Sequence, residues 1–403
     1  MQDPFLPFNF DSATLRGELQ RYFRSLVLLV ILPAVPCVGF IIWLAGSVGA
    51  LMSPQVFADA QFKDHGLVVS LRSIKDYGAY KLARIAQEQP DVVFIGASRC
   101  SEFRSAMLKP LRAYNGCVSA WSIDQNVDLL RRILTAGNPK IVIFCLDYFM
   151  FTEAYEEGTK ERSMRYGPNS GLQLDGVLDV LTAIRERPWE TIGEIPTYLS
   201  RDAFEPVDHL RMLGLNGMRL GAGFRYDGSV LFPRGQLDEA HIVTQKVGYG
   251  LLTAIPGGPQ VDPRQIDALR ALSDIARQRN ITLVGIQLPI QRSSVDFLDT
   301  DQGYWQYSGV WREFETERMR TVFSNLGIHF FDLSRDLEIT ADSRYFVDAI
   351  HVGEAGMLGG LVHLFDNPDF RMIFRGVDGN AMRDTYNRAL EAGDFFHVYH
   401  AQF

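Results

Sequence analysis

The feature that most constrains this chain is a long apolar segment near its start. No charged side chain occurs from Leu26 to Met52, and this stretch exceeds the roughly 20 apolar residues that an α-helix needs to cross a bilayer. A cleaved signal peptide is the competing interpretation, but its apolar core is usually about 7 to 15 residues long and lies closer to the start. We therefore expect one transmembrane helix over residues 26–52. Pro33 and Pro36 should kink it, which a membrane helix tolerates better than a soluble one.

Basic residues on one side of this segment predict its orientation. Arg16, Arg21 and Arg24 precede it, and the positive-inside rule puts such a flank in the cytoplasm. Residues 1–25 are thus predicted to be cytoplasmic, and residues 53–403 to form an extracytoplasmic, periplasmic domain on a single-pass anchor.

Composition and missing motifs exclude several classes of function. The chain has 403 residues, of which 47% are hydrophobic, so it can form one large globular domain or two smaller ones. A formal net charge of -8 without a local cluster of basic residues argues against nucleic acid as a partner. The chain lacks CxxC, HExxH and GxxxxGK[ST] motifs, and the glycines from Gly214 to Gly223 miss the GxGxxG spacing. We expect neither a metal nor a cofactor.

Helical and strand patterns alternate along most of the predicted outer part, which is typical of a parallel sheet covered on both faces. The predicted elements are the helix 80–87, the strands 92–95 and 113–115, the helix 124–136, the strand 141–146, the helix 263–277, the strand 282–287, the helix 309–326, the strand 329–333 and a last helix after Gly353. Between the two halves lies a glycine- and arginine-rich stretch, about residues 153–262, without a clear rhythm. We expect it to be an insertion that caps the sheet.

The first core strand ends in an unusual way, in the sequence VVFIGASRC from Val92 to Cys100. Ligands of parallel α/β sheets bind at the carboxyl ends of the strands, and Ser98 follows such an end. Gly96 would let the backbone turn sharply, and Ser98 would lie in the first turn of a helix whose free N–H groups favour negative charge. The alternative is that Ser98 only caps this helix.

A second segment near the other end of the chain favours a reactive serine. A serine needs a base to take its proton, and a histidine base needs a group that orients its ring. Asp348 and His351 supply that pair, three residues apart, in a segment that follows the last predicted strand. Asp238 and His241 repeat the spacing, but they lie in the insertion and no core strand leads to them. The alternative for His351 is a histidine in a surface loop.

These residues carry a resemblance to a known family. GASR after the first core strand, followed by DxxH near the end, resembles the SGNH (GDSL-like) hydrolase superfamily, and the match covers about residues 79–150 and 264–365. With one N-terminal span, the chain more narrowly resembles membrane-anchored proteins that O-acetylate extracellular polysaccharides, including the alginate acetylation proteins. The resemblance implies a three-layer fold with Ser98 as nucleophile, His351 as general base and Asp348 as the residue that orients it.

The chain also departs from the family pattern. Ala97 replaces the acid of the usual GDS, and Asp147 stands where the family usually has an asparagine of the oxyanion hole. An ionised aspartate cannot donate a hydrogen bond to an oxyanion. By resemblance, the donors are then the backbone N–H groups of Ser98 and of the turn at Ser119 and Ala120.

Three further side chains are candidates for contact with a substrate. Arg99 could bind an anionic group or pair with Glu102 at the surface. Asp147 could place a carboxylate near the substrate or cap the following turn. Gln287 closes a predicted strand and could point into the same cleft.

The four cysteines leave one alternative open. Cys37 lies in the apolar segment, whereas Cys100, Cys117 and Cys145 lie in or beside predicted strands. Buried thiols are the default expectation, and a disulfide between Cys100 and Cys117 would require an oxidising compartment.

Three hypotheses of function follow. The first is an extracytoplasmic O-acyltransferase, of the O-acetyl type, that modifies a cell-surface or secreted polysaccharide through an acyl-serine. The second is an SGNH carbohydrate esterase. The third is a non-catalytic subunit that binds glycan or docks on a multi-span membrane acyltransferase. Transferase and esterase share nucleophile and base and differ in whether a sugar hydroxyl or water reaches the acyl-enzyme.

Overall fold

The structure is a computed structural model that describes residues 12–74, 76–160, 174–199, 210–232, 257–300, 305–348 and 350–399. In chain order its α-helices are α1 (Ser12–Leu26), α2 (Leu32–Ser47), α3 (Pro54–Lys63), α4 (Tyr77–Glu88), α5 (Ile123–Ala136), α6 (Glu153–Lys160), α7 (Leu174–Glu186), α8 (Pro188–Leu199), α9 (Leu215–Leu220), α10 (Pro263–Gln278), α11 (Arg292–Thr300), α12 (Trp305–Phe314), α13 (Glu317–Asn325), α14 (Leu337–Thr340), α15 (Glu354–Leu364), α16 (Pro368–Ile373) and α17 (Gly379–Ala392). Its strands are β1 (Leu67–Val69), β2 (Val92–Ile95), β3 (Ala113–Asn115), β4 (Ile141–Cys145), β5 (Arg211–Leu213), β6 (Gly223–Phe224), β7 (Val230–Leu231), β8 (Thr282–Gln287) and β9 (His329–Asp332).

The main sheet confirms the predicted α/β class with parallel strands. Its five strands lie in the order β3-β2-β4-β8-β9, and every neighbouring pair is parallel. The chain moves outward from β2 to one side through β3 and to the other through β4, so the strand order reverses between β2 and β4. In doubly wound sheets such a reversal opens a crevice at the carboxyl ends of the two strands, where ligands bind.

Helices cover both faces of this sheet because its central strands β2 and β4 are apolar on both sides. Val93 and Ile95 pack in a cluster with α5 and α10, whereas Val92 and Phe94 face the opposite way, into a cluster with α15 and α17. Successive side chains of a strand point to opposite faces, so a strand buried on both faces must be apolar throughout. The continuous apolar runs in the sequence reflect this burial.

The N-terminal helix is long and apolar enough to cross a membrane. A π-helical turn, Val27–Ile31, joins α1 to α2, and the helical segment Arg16–Ser47 is 32 residues long. The π-helical turn lies just before Pro33, whose missing N–H removes one hydrogen bond of a regular helix. The apolar sequence continues to Met52, but the helix ends at Ser47. Gly49 has a φ of +73°, which ends the helix and turns the chain into the globular part.

The described part of the insertion forms a second sheet with an earlier strand. β5 and β6 flank β1, and β7 completes a four-stranded sheet in the order β5-β1-β6-β7. The insertion also contacts the main sheet, since Asn115 N–H donates to Asp227 O at 2.8 Å and Val230 N–H donates to Ser101 O at 2.9 Å. Asp238 and His241, the second DxxH pair, lie outside the described residues.

Two predictions about helices were wrong. The segment predicted as one helix over 309–326 is two, α12 and α13, because the backbone at Thr316 is extended, with ψ of 156°. The helix after Gly353 is also not the last one. α16 and α17 follow it, begun by the side chains of Asn367 and Asp378, which accept hydrogen bonds from the first N–H groups of each helix.

Candidate active site

Ser98 lies at the start of a short 3-10 turn that leaves β2, rather than in the first turn of an α-helix as predicted. Gly96 allows this turn, with φ of +142°. A Cβ on Gly96 would lie 3.0 Å from Cys100 Sγ and 3.1 Å from Cys145 Cβ, so a larger residue would crowd both side chains. Ser98 does not cap the turn, because that position belongs to Ala97. Its hydroxyl is thus directed to another partner.

Asp348 and His351 lie in a tight hairpin between Phe346 and Val352, which form an antiparallel bridge. Asp348 Oδ1 accepts hydrogen bonds from the backbone N–H groups of Ile350, at 2.9 Å, and His351, at 2.8 Å. These bonds fix the carboxylate on the inside of the turn. The three-residue spacing therefore works through local backbone geometry and not through a helix face.

The three predicted catalytic side chains form one chain of hydrogen bonds. Ser98 Oγ lies 2.8 Å from His351 Nε2, and His351 Nδ1 lies 2.7 Å from Asp348 Oδ2. Burial alone would raise the pKa of Asp348, but the hydrogen bond and charge of His351, with the two backbone N–H groups, lower it to about 2. Asp348 is therefore ionised at neutral pH and can hold Nδ1 protonated, which leaves Nε2 free to accept the serine proton.

Arg99 has neither of the roles that the sequence suggested. Its side chain is only 2% exposed and forms a buried ion pair with Asp147. Its remaining N–H groups donate to backbone oxygens of Ile350, at 2.9 Å, and of Leu288 and Pro289, at 3.2 and 2.6 Å. Arg99 thus joins the loops after β4 and β8 to the hairpin that holds His351, and it is not free to bind an anionic substrate.

The structure shows neither the pairing of Arg99 with Glu102 nor the capping of a turn by Asp147. Glu102 is buried and lies 4.0 Å from Arg225 instead of pairing with Arg99, and burial raises the pKa of its carboxyl to about 8. Asp147 does not cap the turn that follows it. Burial raises the pKa of Asp147, and the charge of Arg99 opposes this. Among the described residues, Asp147 Oδ2 has no hydrogen-bond partner.

Gln287 forms no hydrogen bond to any of the three triad side chains. It lies on the face of β8 that Leu283 also occupies, in the cluster with α5 and α10, and it is fully buried. Neither polar atom of its amide has a hydrogen-bond partner within the described parts of the chain. Contact of Gln287 with a substrate stays a prediction.

The predicted oxyanion loop lies beside the serine turn. Val118 N–H donates to Gly96 O at 3.0 Å. Val118 has a φ of +71°, which is an outlier for a β-branched residue, and such backbone outliers are common at functional sites. Ser119 and Ala120 follow and are fully buried. The direction of their N–H groups toward the Ser98 oxygen stays a prediction.

Cys100 and Cys117 form a disulfide, so the default expectation of buried thiols was wrong for this pair. The bond joins the serine turn to the loop that precedes Ser119. Cys145 is a buried free thiol, as expected, and its sulfur lies within 4.8 Å of the other two. Burial raises the pKa of Cys145 well above its usual range, which makes it a poor nucleophile.

Sequence reasoning missed three residues around this site. Asn115 Nδ2 donates to Cys100 O at 2.8 Å and to Phe103 O at 2.9 Å, which fixes the serine turn to β3. Lys81 is fully buried and donates to backbone oxygens of the oxyanion loop and of Gly228 in the insertion. Its position in the buried stripe of α4 was the available signal.

The third missed residue is Phe232, whose ring centroid lies 6.4 Å from that of His351. It belongs to the insertion and could not be placed near the triad from the sequence, because the contact depends on how the insertion folds back.

A comparison of the chain with protein-family models and with curated protein sequences finds no match to either. The chemistry of the site therefore has to be argued from its own geometry: a serine hydrogen-bonded to a histidine, which is hydrogen-bonded to a carboxylate.

Proposed function

We propose that this protein is an extracytoplasmic, SGNH-type O-acyltransferase that transfers an acetyl group to a cell-surface or secreted polysaccharide through an acyl-serine. The observation that carries the proposal is the hydrogen-bonded chain from Ser98 through His351 to Asp348, with distances of 2.8 and 2.7 Å. A serine within reach of a base that a half-buried carboxylate orients is the arrangement that nucleophilic acyl transfer requires.

The first half-reaction moves the acyl group from its donor to the protein. His351 Nε2 takes the proton of Ser98 Oγ as this oxygen attacks the acyl carbon, and the charge on the carbonyl oxygen is received by backbone N–H groups near Ser98 and Ala120. The bond between the acyl carbon and the donor then breaks, and His351 returns the proton to the leaving group. Asp348 stabilises the histidine while it carries the extra proton.

The second half-reaction passes the acyl group to an acceptor hydroxyl. His351 takes the proton of that hydroxyl, the hydroxyl oxygen bonds to the acyl carbon, and the bond to Ser98 Oγ breaks. The serine recovers its proton from His351. A sugar hydroxyl in place of water gives transfer rather than hydrolysis, and Phe232 beside His351 supplies an apolar surface that disfavours water there.

Two features support an outer location for this chemistry. The N-terminal helix has the length and hydropathy of a membrane span, and Arg16, Arg21 and Arg24 lie at its N-terminal end, before the apolar segment. A disulfide between Cys100 and Cys117 fits an oxidising compartment better than the cytoplasm. An anchored enzyme can meet an acyl donor that a multi-span membrane acyltransferase delivers across the bilayer, and we propose such a protein as its partner.

Acylation of the purified protein tests the proposal. Incubation with p-nitrophenyl acetate should add an acetyl group to the peptide that contains Ser98, seen by mass spectrometry, and Ser98→Ala should abolish the adduct. An acceptor oligosaccharide should then draw the acetyl group onto sugar. Acetate release that no sugar changes would favour an esterase. A folded protein that forms no adduct would contradict catalysis and favour the docking subunit.

A further inference from the structure

Helices α7 and α8 pack against the outer end of the apolar N-terminal helix. They share a core with it, formed by Leu44, Ala45, Val48, Ala50, Val180, Ala183, Ile195, Tyr198 and Leu215. Gly176 of α7 lies so close to this end that an added Cβ would be 1.9 Å from Ala50 O. This close packing fixes the position of the two helices along the axis of the N-terminal helix.

The opposite surface of α7 and α8 is apolar and exposed. Leu178 and Leu181 of α7 are 57% and 41% exposed, and Trp189 and Ile192 of α8 are 85% and 48% exposed. These four side chains follow helical spacing within each helix, so they lie on one side while Val180 and Ile195 face the core. We call them the outer face. A face of this kind on a soluble surface signals a partner.

We propose that the outer face inserts into the lipid interface of the bilayer, as a second membrane contact beside the span. The proposal rests on the span argued above. From Leu26 to Trp43 the helix rises by about 27 Å at 1.5 Å per residue, close to the hydrocarbon thickness of about 30 Å. Side chains are largely exposed up to Trp43 and fully buried at Leu44 and Ala45. The lipid therefore ends at the level where α7 and α8 begin to pack.

The chemistry of the two helices fits the membrane interface. Tryptophan favours the boundary between lipid and water, and Trp43 and Trp189 are both exposed near this level. Polar side chains border the outer face, since Arg187 pairs with Glu190 at 2.9 Å and Arg72 with Glu186 at 3.0 Å. Apolar residues on one side with charged residues on the other are typical of a helix that lies in the interface, about 5–10 Å deep.

The net charge of these helices indicates whether they contact the lipid headgroups or the acyl chains. Together, α7 and α8 carry more acidic than basic residues, so attraction to anionic headgroups does not drive the contact. Burial of the apolar side chains of the outer face drives the contact instead. Two attachments, the span and the outer face, would prevent the catalytic domain from turning freely about a single helix and would hold its site at one orientation to the membrane.

Depth-dependent fluorescence quenching tests this on the full chain. The protein with Cys37→Ala, which removes the exposed native thiol, is given one new cysteine, labelled with nitrobenzoxadiazole and reconstituted in phosphatidylcholine vesicles with brominated acyl chains. The positions are Ile192→Cys on the outer face, Glu190→Cys on the polar border of the same helix, and Val35→Cys in the span. Circular dichroism confirms that each variant is folded.

We expect the label at position 192 to be quenched at least twofold more than the label at position 190, with an emission shifted to the blue, and equally with or without anionic lipid. Quenching at position 35 but not at 192 would overturn the contact while the span stands. No quenching at position 35 would overturn the span and the contact together. Equal quenching at 190 and 192 would overturn the proposed orientation. Acylation of Ser98 reads out the proposed function independently of these results.

Discussion

His351 and His363 each bind a carboxylate through Nδ1, and they differ in what their second nitrogen faces. His351 Nδ1 lies 2.7 Å from Asp348, and its Nε2 lies 2.8 Å from Ser98 Oγ. His363, on α15, pairs with Asp336 through Nδ1, and its Nε2 lies 3.1 Å from Glu338 Oε2. The first ring lies between an acid and a hydroxyl, and the second between two acids.

This difference decides which histidine can be a base. The hydrogen bond that His363 donates to Asp336, the negative charge of Asp336 and that of Glu338 raise the pKa of His363, while burial partly opposes them. A ring between two carboxylates is stabilised as the cation, with both nitrogens donating, and it has no lone pair to accept a proton. His351 is hydrogen-bonded to one acid, and its Nε2 faces a hydroxyl that can donate to it. A histidine beside an acid is thus not by itself a catalytic signal.

The two histidines also differ in what holds them. His363 lies in the last turn of α15, whose backbone is fixed by its own helical hydrogen bonds. His351 lies in a hairpin, and the preceding carbonyl, of Ile350, accepts a hydrogen bond from Arg99, which in turn is neutralised by Asp147. Only the histidine in the hairpin needs such external support.

The largest expected effect separates the two rings directly. His351→Ala should lower the rate of Ser98 acylation by about 10⁴-fold or more, because the serine loses its base. His363→Ala should change that rate by less than about twofold. Stopped-flow release of p-nitrophenol measures both. Equal losses in the two variants would show that neither ring acts as the base and that the difference in Nε2 partners is irrelevant.

The acids should differ in the same way. Asp348→Asn should slow acylation by about 10³- to 10⁴-fold, because an amide can hold His351 in the wrong tautomer and does not stabilise the charged ring. Asp336→Asn is the matched control and should leave the rate within about twofold. A mild effect of Asp348→Asn on acylation, with the fold intact, would contradict the orienting role.

The ion pair of Arg99 with Asp147 holds the hairpin that contains His351, so we expect its removal to lower both the stability of the fold and the rate of acylation. Asp147→Asn leaves the Arg99 charge buried without its partner, which typically costs about 3–5 kcal/mol of folding free energy. Chemical denaturation measures this, and Lys140→Ala in the exposed pair with Asp91 is the control, expected to cost less than about 1 kcal/mol.

The pair of Arg99 with Asp147 should also affect turnover, because Arg99 holds the hairpin that contains His351. In protein that is still folded, Arg99→Lys should lower kcat more than it raises KM, because the lysine cannot reach Asp147 and the carbonyl of Ile350 together. An unchanged kcat with a raised KM would instead place Arg99 in substrate binding, which its burial argues against.

The smallest effect is a pH dependence of stability at His363. The folded pKa of His363 is raised above the unfolded value of about 6.5, so its stabilising effect is complete below that value and is lost as pH rises through the folded pKa. His363→Gln should therefore lower the melting temperature by a few degrees at pH 5.5 and by less at pH 9. A difference that is constant from pH 5.5 to 9 would contradict the charged state inferred for this ring.

Much of the fold and the triad could be predicted from local patterns. The strand Val92–Ile95 is predicted correctly to the residue because a strand buried on both faces must be apolar throughout. Asp348 and His351 could be paired because the carboxylate reaches the ring within one hairpin, and Ser98 could be joined to them because the carboxyl ends of parallel strands share one edge.

What the sequence alone determined was therefore the long apolar N-terminal segment, the parallel α/β sheet and the identity of three residues that could react together. The tertiary structure decided what depends on contacts between distant segments: the buried pair of Arg99 with Asp147, the disulfide of Cys100 with Cys117, and the packing of α7 and α8 on the end of the N-terminal helix. Local periodicity fixes which way a side chain points within its own element. It carries no information about which distant charge, sulfur or apolar face will meet that side chain, because the chain fold decides that contact.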